Sequence, residues 1–198
     1  MKSILISIKP EWVAKILNGE KTIEIRKTMP KCELPIDVYI YCSKGNKKDW
    51  HLLEVVDTDT GWEGYEYDYY IGSKGYLRWC LEGKVLAKFT LREVEKIKFH
   101  FGYYDMGEWT ESYILENACL TSNELDNYFK ASKDYDEKKI AKVCGYAWHI
   151  EDLVIFKKPK KLSEFKRPNP SKNKHLDRYV PVKIPQSYCY VEKFEGKK

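Results

Sequence analysis

The chain has 198 residues, of which 43% are hydrophobic and 15% aromatic, enough for one substantial hydrophobic core. No segment reaches the roughly 18 to 20 consecutive apolar residues of a membrane helix, and the start MKSILISIKPEW lacks the apolar region and cleavage site of a signal peptide, so we expect a soluble, cytoplasmic protein. The net charge of +5 is modest and selects no partner by itself.

The first elements are a strand and a short helix. ILISI at 4–8 is an almost continuous apolar run, which is typical of a strand buried on both faces. Pro10 suits the first position of a helix, in which Val13, Ile16 and Leu17 form one apolar stripe. Asn18 and Gly19 are expected to end this helix, because Gly tolerates a left-handed backbone.

The pattern changes to a period of two from Lys21 onwards. Ile23 and Ile25 point to one side of the predicted strand, whereas Thr22, Glu24 and Arg26 point to the other. This strand therefore has one apolar face and one charged face.

Further strands are predicted at 38–43, 84–94 and 146–156, the last as one strand or two. Residues 110–132 are predicted to be helical, with a second helix beginning at Thr121 or Ser122. Residues 44–76 and 99–109 are expected to form long loops or irregular hairpins, and the Pro-rich tail from 157 to run extended over the surface. Strands outnumber helices without regular β-α alternation, which favours a small barrel or curled sheet over a doubly wound fold.

Charge is unevenly distributed along the chain. Residues 49–70 carry seven acidic residues and no Lys or Arg, whereas residues 157–183 carry ten Lys or Arg against only Glu164 and Asp177. Such polarity indicates one face that attracts anions and another that repels them.

Cysteine and histidine spacing indicates no metal site or cofactor. The six cysteines form no CxxC pair and no Cys/His cluster, so we expect reduced, buried thiols. The four histidines are isolated, no GxSxG, HExxH or phosphate-loop motif is present, and we identify no catalytic residue. His149 is expected to be a structural histidine with its hydrogen bonds satisfied.

The run SIKPEWVAKILNGEKTIEIRK resembles the GxKxxExR signature of ASCH domains, which belong to the PUA-like superfamily, through Gly19, Lys21, Glu24 and Arg26. The later order KVLAKFTL, a helical segment, YAWHIEDLVIFKKPKKLSEF and PQSYCYVE is similar to the longer ASCH proteins of bacteria and phages. The resemblance covers most of the chain, although its specific part is only about twenty residues long.

The resemblance implies an α+β fold, a PUA-like β-barrel made of a small curled, mainly antiparallel sheet with flanking helices. We expect a single ASCH/PUA-like domain over 1–198, with the signature at 3–28, an irregular insertion at about 44–76, a helical insertion at about 110–142 and an extended basic tail at about 157–198. It also implies a cleft near the signature that binds RNA or another nucleic acid.

The residue types at the signature suit this role. Glu24 and Arg26 lie on one face, where the planar guanidinium fits a phosphate or a base edge and the carboxylate orients it or accepts from an exocyclic amine. The alternative is a surface ion pair of little energetic value. Lys21 is a candidate phosphate contact or an ordinary exposed lysine, and Gly19 has a backbone role.

Two further regions are candidate nucleic-acid contacts. Lys9 and Trp12 flank the start of the first helix, where backbone N–H groups favour an anion and the indole either stacks on a base or packs the helix onto the sheet. Lys157, Lys158, Lys160 and Lys161 either contact a phosphate backbone or form a solvated basic surface.

Two alternatives to RNA binding remain open. The first is an amidohydrolase, because one small ASCH-like group hydrolyses N4-acetylcytidine with a Lys, a Thr and a Glu. In this chain Glu24 stands where that group has its Thr, and a carboxylate cannot act as the hydroxyl nucleophile. Thr22 lies on the same predicted face. The acidic, Tyr-rich segment at 61–70 would repel phosphate, and is a candidate lid or protein-interaction surface.

Overall fold

The computed structural model describes residues 2–44, 56–57, 62–63, 83–100, 103–129, 142–167 and 182–194. They contain eleven strands, three α-helices and a 3-10 turn at Leu162–Glu164. The fold is α+β, as predicted. The described residues fall into two compact units. Those within 1–18, 36–90 and 152–198 form the first, and those within 19–35 and 91–151 form the second. The single-domain organisation stays a prediction.

The first unit is built on a five-stranded sheet. Its strands are β1 (Lys2–Ile8), β3 (Ile36–Cys42), β6 (Lys84–Leu91), β10 (Glu151–Lys161) and β11 (Tyr188–Glu192), in the order β10-β6-β3-β1-β11. β1 is parallel to β3 and antiparallel to β11, with Ile4 opposite both Val38 and Tyr190. A two-residue pair, β4 (Val56–Asp57) and β5 (Trp62–Glu63), is also present.

Helix α1 (Pro10–Leu17) follows β1 and confirms the predicted helix. Pro10 lies in its first turn, and Val13, Ile16 and Leu17 are buried on one stripe. Asn18 caps it, and Gly19 adopts φ of +76° with no atom near the position that a Cβ would occupy. This positive φ supports the backbone role of Gly19, which stays a prediction.

The second unit is built on a four-stranded antiparallel sheet. It contains β2 (Ile23–Arg26), β7 (Val94–His100), β8 (Tyr103–Asp105) and β9 (Lys142–His149), in the order β2-β9-β7-β8. The predicted strand at 84–94 is thus two strands, interrupted at Arg92 and Glu93. Residues 99–109 contain the β7-β8 hairpin, as expected.

Helices α2 (Glu111–Ala118) and α3 (Ser122–Phe129) complete the second unit. Thr110 accepts a hydrogen bond from the Tyr113 amide at 3.2 Å, which caps α2. Thr121 and Glu124 form two reciprocal hydrogen bonds that cap α3. The Glu124 carboxylate accepts from the Thr121 amide at 2.8 Å, and the Thr121 hydroxyl accepts from the Glu124 amide at 3.3 Å. The predicted second helix start is confirmed.

Each unit has its own hydrophobic core. In the first, Leu5, Tyr39, Val85 and Val191 pack with Phe165. In the second, the core side chains come from the sheet and both helices, and they include Ile23, Ile25, Ile97, Ile114, Leu125 and Ala147. Apolar burial of this kind supplies most of the folding free energy.

The structure refines the expectation about the barrel and corrects the expectation about the tail. Within the described residues the strands form a five-stranded sheet, a four-stranded sheet and the two-stranded β4-β5 pair, and none of these three closes into a barrel. The region expected to run over the surface from residue 157 also contributes to the sheet, because 157–161 continues β10 and Tyr188–Glu192 pairs with β1. An extended Pro-rich segment is compatible with a course over the surface and also with a strand at the edge of a sheet. Residues of this region join the sheet because apolar side chains such as Val191, which is fully buried, pack into the core there.

Three sequence-based predictions concern cysteines, the Tyr-rich segment and membrane helices. Among the described residues no disulfide bond joins the cysteines at 32, 42, 119, 144 and 189, of which Cys42 is buried and the others are half-buried. Cys80 lies outside the described residues. The Tyr-rich segment at 61–70 also lies outside them, apart from Trp62 and Glu63. In the described part of the chain, no helix has the length and apolar character needed to span a membrane.

Candidate functional site

Strand β2 and the two residues before it bring Lys21, Glu24 and Arg26 together in the second unit. The segment is held by backbone hydrogen bonds, from the Thr22 amide to the Asn117 carbonyl and from the Ile150 amide to the Thr22 carbonyl, both at 2.9 Å. In the antiparallel pairing with β9, Glu24 lies opposite Trp148 and Arg26 opposite Tyr146. We call Lys21, Glu24 and Arg26 the ionic triad.

Glu24 is the central member of the ionic triad. Its Oε1 lies 2.9 Å from Arg26 Nε, and its Oε2 lies 3.4 Å from Lys21 Nζ. The three side chains are only 2% (Lys21), 9% (Glu24) and 10% (Arg26) exposed. The carboxylate therefore joins two cations in a region largely removed from water.

Lys21 is also tied to the C-terminal end of α2. Its Nζ donates a hydrogen bond to the Ala118 carbonyl oxygen at 2.7 Å, and the carbonyls at a helix C-terminus attract positive charge. Burial lowers the pKa of Lys21 below its ordinary value, while the neighbouring Glu24 carboxylate acts in the opposite direction. The lysine thus links the sheet to the helix while remaining next to Glu24.

Burial excludes the simplest alternatives for these residues. Glu24 and Arg26 are not a surface ion pair, and Lys21 is not an ordinary exposed lysine. The period-two pattern correctly separated the two faces of β2, but both faces are buried. Because removing charged groups from water is costly, three neighbouring buried ionisable side chains are a candidate functional site.

Tyr128 and Lys27 lie beside the ionic triad and were not identified from the sequence. Lys27 Nζ lies 5.0 Å from the centroid of the Tyr128 ring. Burial raises the pKa of Tyr128, and the nearby charges of Arg26 and Glu24 act on it in opposite directions. The sequence offers only the spacing of α3, in which Tyr128 follows Leu125 by three positions. The structure adds that Leu125 is buried whereas Tyr128 is 39% exposed.

Lys9 and Trp12 belong to the first unit, whereas the ionic triad belongs to the second. Lys9 is exposed and precedes α1, and its Nζ lies 4.0 Å from Glu11 Oε1. Trp12 is half-buried, with Lys15 Nζ 5.2 Å from its ring centroid. A ligand-binding role for either residue stays a prediction.

The four tail lysines lie on the last residues of β10 in the first unit. Lys157, Lys158 and Lys161 are exposed, whereas Lys160 is half-buried with Nζ 5.4 Å from the Phe194 ring centroid. The lysines predicted to contact phosphate therefore lie on a strand of the sheet, and not on an extended tail that runs over the surface.

Thr22 and His149 bear on the catalytic alternatives. Thr22 is exposed, and its hydroxyl donates to Asn117 Oδ1 at 2.7 Å. His149 packs against Trp109, with ring centroids 5.5 Å apart, and its Nε2 is buried with no hydrogen-bond partner in the described ranges. The expectation that His149 is a structural histidine with satisfied hydrogen bonds is therefore wrong for Nε2.

Comparisons with known proteins identify the family of this chain. A curated relative, the "ASCH domain-containing ribonuclease" of Zymomonas mobilis, is 26% identical over 102 residues, which are 49% of this chain and 69% of the relative. The crystal structure of ASCH from Zymomonas mobilis has a TM-score of 0.44 at 16% identity, over 96% of this chain and 88% of that one. A mutant of the latter protein has the same TM-score and identity, over 98% and 92%. The model of the ASCH domain matches residues 6–160, most of the chain, and this protein belongs to the ASCH family.

Proposed function

We propose that this chain binds RNA at the surface beside the ionic triad. The curated relative is named a ribonuclease, which supports RNA as the partner of this ASCH chain as well. The positive surplus of the buried triad carries the proposal, because Glu24 neutralises only one of the two cations that it contacts. A positive charge in poorly solvated surroundings attracts an anion more strongly than one in water.

Arg26 is the member that suits a phosphate. Its guanidinium is planar, always charged and able to donate two parallel hydrogen bonds to phosphate oxygens. Glu24 holds the Nε side of that group, and so restricts its orientation. Both carboxylate oxygens already face cations, so Glu24 orients Arg26 and does not contact the phosphate.

The exposed lysines of β10 belong to the first unit and are a separate set of candidate phosphate contacts. Lys157, Lys158 and Lys161 add three positive charges within the last five residues of one strand. Each phosphate that a lysine neutralises releases bound counterions, so affinity falls as salt rises.

Fluorescence anisotropy with a labelled single-stranded RNA tests the proposal, at about 50 mM and about 200 mM salt. We expect salt-sensitive binding that Arg26→Gln weakens. Arg92→Gln is the matched control, because Arg92 pairs with Glu151 at 3.1 Å on the exposed surface of the same unit. Absence of salt-sensitive binding by the unmodified protein, or equal losses in the two variants, would contradict the proposal.

Cleavage of the bound RNA is a second candidate function, favoured by the name of the Zymomonas mobilis relative. In this reaction Glu24 takes the proton of a ribose 2′-hydroxyl, whose oxygen forms a bond to the adjacent phosphorus. The P–O5′ bond breaks, Lys21 gives its proton to the departing O5′, and Arg26 balances the charge on the phosphate. The products are a 2′,3′-cyclic phosphate and a 5′-hydroxyl.

Gel analysis of end-labelled RNA tests cleavage separately from binding. We expect fragments ending in a cyclic phosphate, and their loss in Lys21→Met with folding checked by circular dichroism. Binding without fragments, or fragments that persist undiminished in Lys21→Met, would exclude this reaction while leaving the binding proposal intact.

A further inference from the structure

An exposed tyrosine ring lies next to the basic end of β2. Tyr128 is in the last turn of α3, three positions after Leu125, which is completely buried. Spacing alone would place Tyr128 near the core stripe of the helix, yet 39% of it is accessible to solvent. A large accessible aromatic surface beside charged residues is a candidate contact for a ligand.

Lys27 contacts this ring through its side chain. Its ammonium lies 5.0 Å from the ring centroid, within the range of a cation-π interaction. This contact restricts the motion of the ring before any ligand binds, which reduces the entropy lost on binding.

The neutral Tyr128 ring lies near two positive charges, Lys27 and Arg26, and near the carboxylate of Glu24. Lys27 directly follows Arg26, so two cations are adjacent in the chain at this point. The phenol is neutral at physiological pH, and burial raises its pKa further. A neutral ring beside cations suits a ligand that has both a flat aromatic group and a phosphate.

We propose that Tyr128 is a stacking platform for one unpaired base of a single-stranded RNA, with Lys27 contacting the neighbouring phosphate. This inference rests on the proposed RNA binding and names the class of RNA that the site accepts. In a duplex the bases stack on one another and are unavailable to a side chain, whereas loops and single strands expose them. Stacking on an aromatic side chain accepts any base, so the site selects strandedness and not sequence.

Tyr113 provides a matched comparison on α2. It is 38% exposed, but its ring is stacked on Trp109 at a centroid distance of 4.5 Å. Its helix carries Glu111 and Glu116 and no basic residue, so its surroundings repel phosphate. Tyr113 has the exposure of Tyr128 without the cations.

The experiment measures binding of a labelled single-stranded RNA, its duplex and a strand with abasic sites, to the full chain and three variants. Tyr128→Leu removes the aromatic face but keeps apolar packing, Tyr128→Phe keeps the face, and Tyr113→Leu is the control. We expect Tyr128→Leu to bind the single strand about 5- to 150-fold more weakly, and Tyr128→Phe and Tyr113→Leu to remain within about twofold of the unmodified protein. With the abasic strand, Tyr128→Leu and the unmodified protein should bind equally.

The outcomes separate this inference from the proposed function. If the unmodified protein binds no RNA, the proposed function is wrong and this inference fails with it. If it binds RNA but Tyr128→Leu binds equally well, or if the duplex binds as tightly as the single strand, only the stacking platform is wrong.

Discussion

Glu24 and Arg26 form an ion pair of 2.9 Å on a strand whose four residues are all buried. With Lys21 on the other carboxylate oxygen, the negative charge of Glu24 stabilises two cations that have little contact with water. Such an arrangement is sensitive to the loss of its central member, because the cations then repel each other without compensation.

Glu24→Gln should therefore lower the free energy of unfolding by about 3 kcal/mol. The amide keeps the shape of the carboxylate, removes its charge and places an NH2 donor where one oxygen now accepts from a cation. Urea unfolding followed by circular dichroism measures the effect, and Glu151→Gln is the control because the Arg92–Glu151 pair is about half exposed. We expect the control to change the free energy by at most about 0.5 kcal/mol, and equal effects in the two variants would show that burial of the triad is unimportant.

Lys21 predicts a dependence of stability on alkaline pH. Its pKa in the folded protein lies below the ordinary 10.5 because of burial, so between the two values the unfolded chain binds more protons than the folded one. Stability therefore rises with pH in that window, where the folded state no longer has to bury the ammonium.

The buried tyrosines oppose this trend, because burial raises the pKa of Tyr39, Tyr41 and Tyr104, and stability falls once they ionise in the unfolded chain. The difference between the unmodified protein and Lys21→Met cancels their contribution. In paired urea titrations from neutral pH to about pH 10, this difference should shift in favour of the unmodified protein. A constant difference would mean that the pKa of Lys21 is not lowered by folding.

Local patterns in the sequence predicted β1, α1 and β2 well, because the residues that determine them are near neighbours. Pro10 begins the helix, Gly19 provides the left-handed backbone after it, and Ile23 and Ile25 alternate into the core. The same reasoning correctly grouped Glu24 with Arg26, since residues two apart on a strand share a face.

Contacts between distant parts of the chain were beyond local patterns. The bond from Lys21 to Ala118 and the contact of Lys27 with Tyr128 depend on how α2 and α3 pack beside β2. Alternation showed which side chains share a face of β2 but not that the charged face is buried. The pairing of β11 with β1 was missed for the same reason, because its partner lies at the opposite end of the sequence.

Tyr104 and Asp126 should contribute a measurable hydrogen bond between β8 and α3. The Tyr104 hydroxyl donates to Asp126 Oδ1 at 2.7 Å, and the tyrosine is only 8% exposed. Tyr104→Phe removes the donor and should cost about 1 kcal/mol in the free energy of unfolding. Tyr103→Phe, at a position that is 54% exposed, should change it by less than about 0.5 kcal/mol in the same urea titration. A Tyr104→Phe variant as stable as the unmodified protein would disprove the contribution of this bond.

Gly145 should be intolerant of any side chain, because β9 passes close to β2 and to α3 there. A Cβ at this position would meet the Phe129 ring and would lie 2.9 Å from the Arg26 carbonyl oxygen. Gly145→Ala should therefore destabilise the protein by about 1 to 3 kcal/mol through displacement of these groups.

Gly19→Ala is the informative comparison for Gly145→Ala, since its Cβ has open space and only the positive φ opposes it. It should cost about 1 kcal/mol, measured by the same thermal or urea unfolding. A larger loss in Gly19→Ala than in Gly145→Ala would contradict the close packing at Gly145.

Arg26 and Lys27 should contribute to RNA binding in different ways, Arg26 through the planar shape of its guanidinium and Lys27 through its positive charge. Arg26→Lys keeps the charge but removes the planar fork and its contact with Glu24, so we expect weaker binding at every salt concentration with an unchanged salt dependence. Lys27→Ala removes one exposed charge, so the slope of log affinity against log salt should become shallower by about 1. Anisotropy titrations over a salt series measure both quantities, with Arg92→Lys as the control for the first substitution. If Arg26→Lys binds RNA as the unmodified protein does, the guanidinium makes no specific contact and only the general positive charge of this surface attracts RNA.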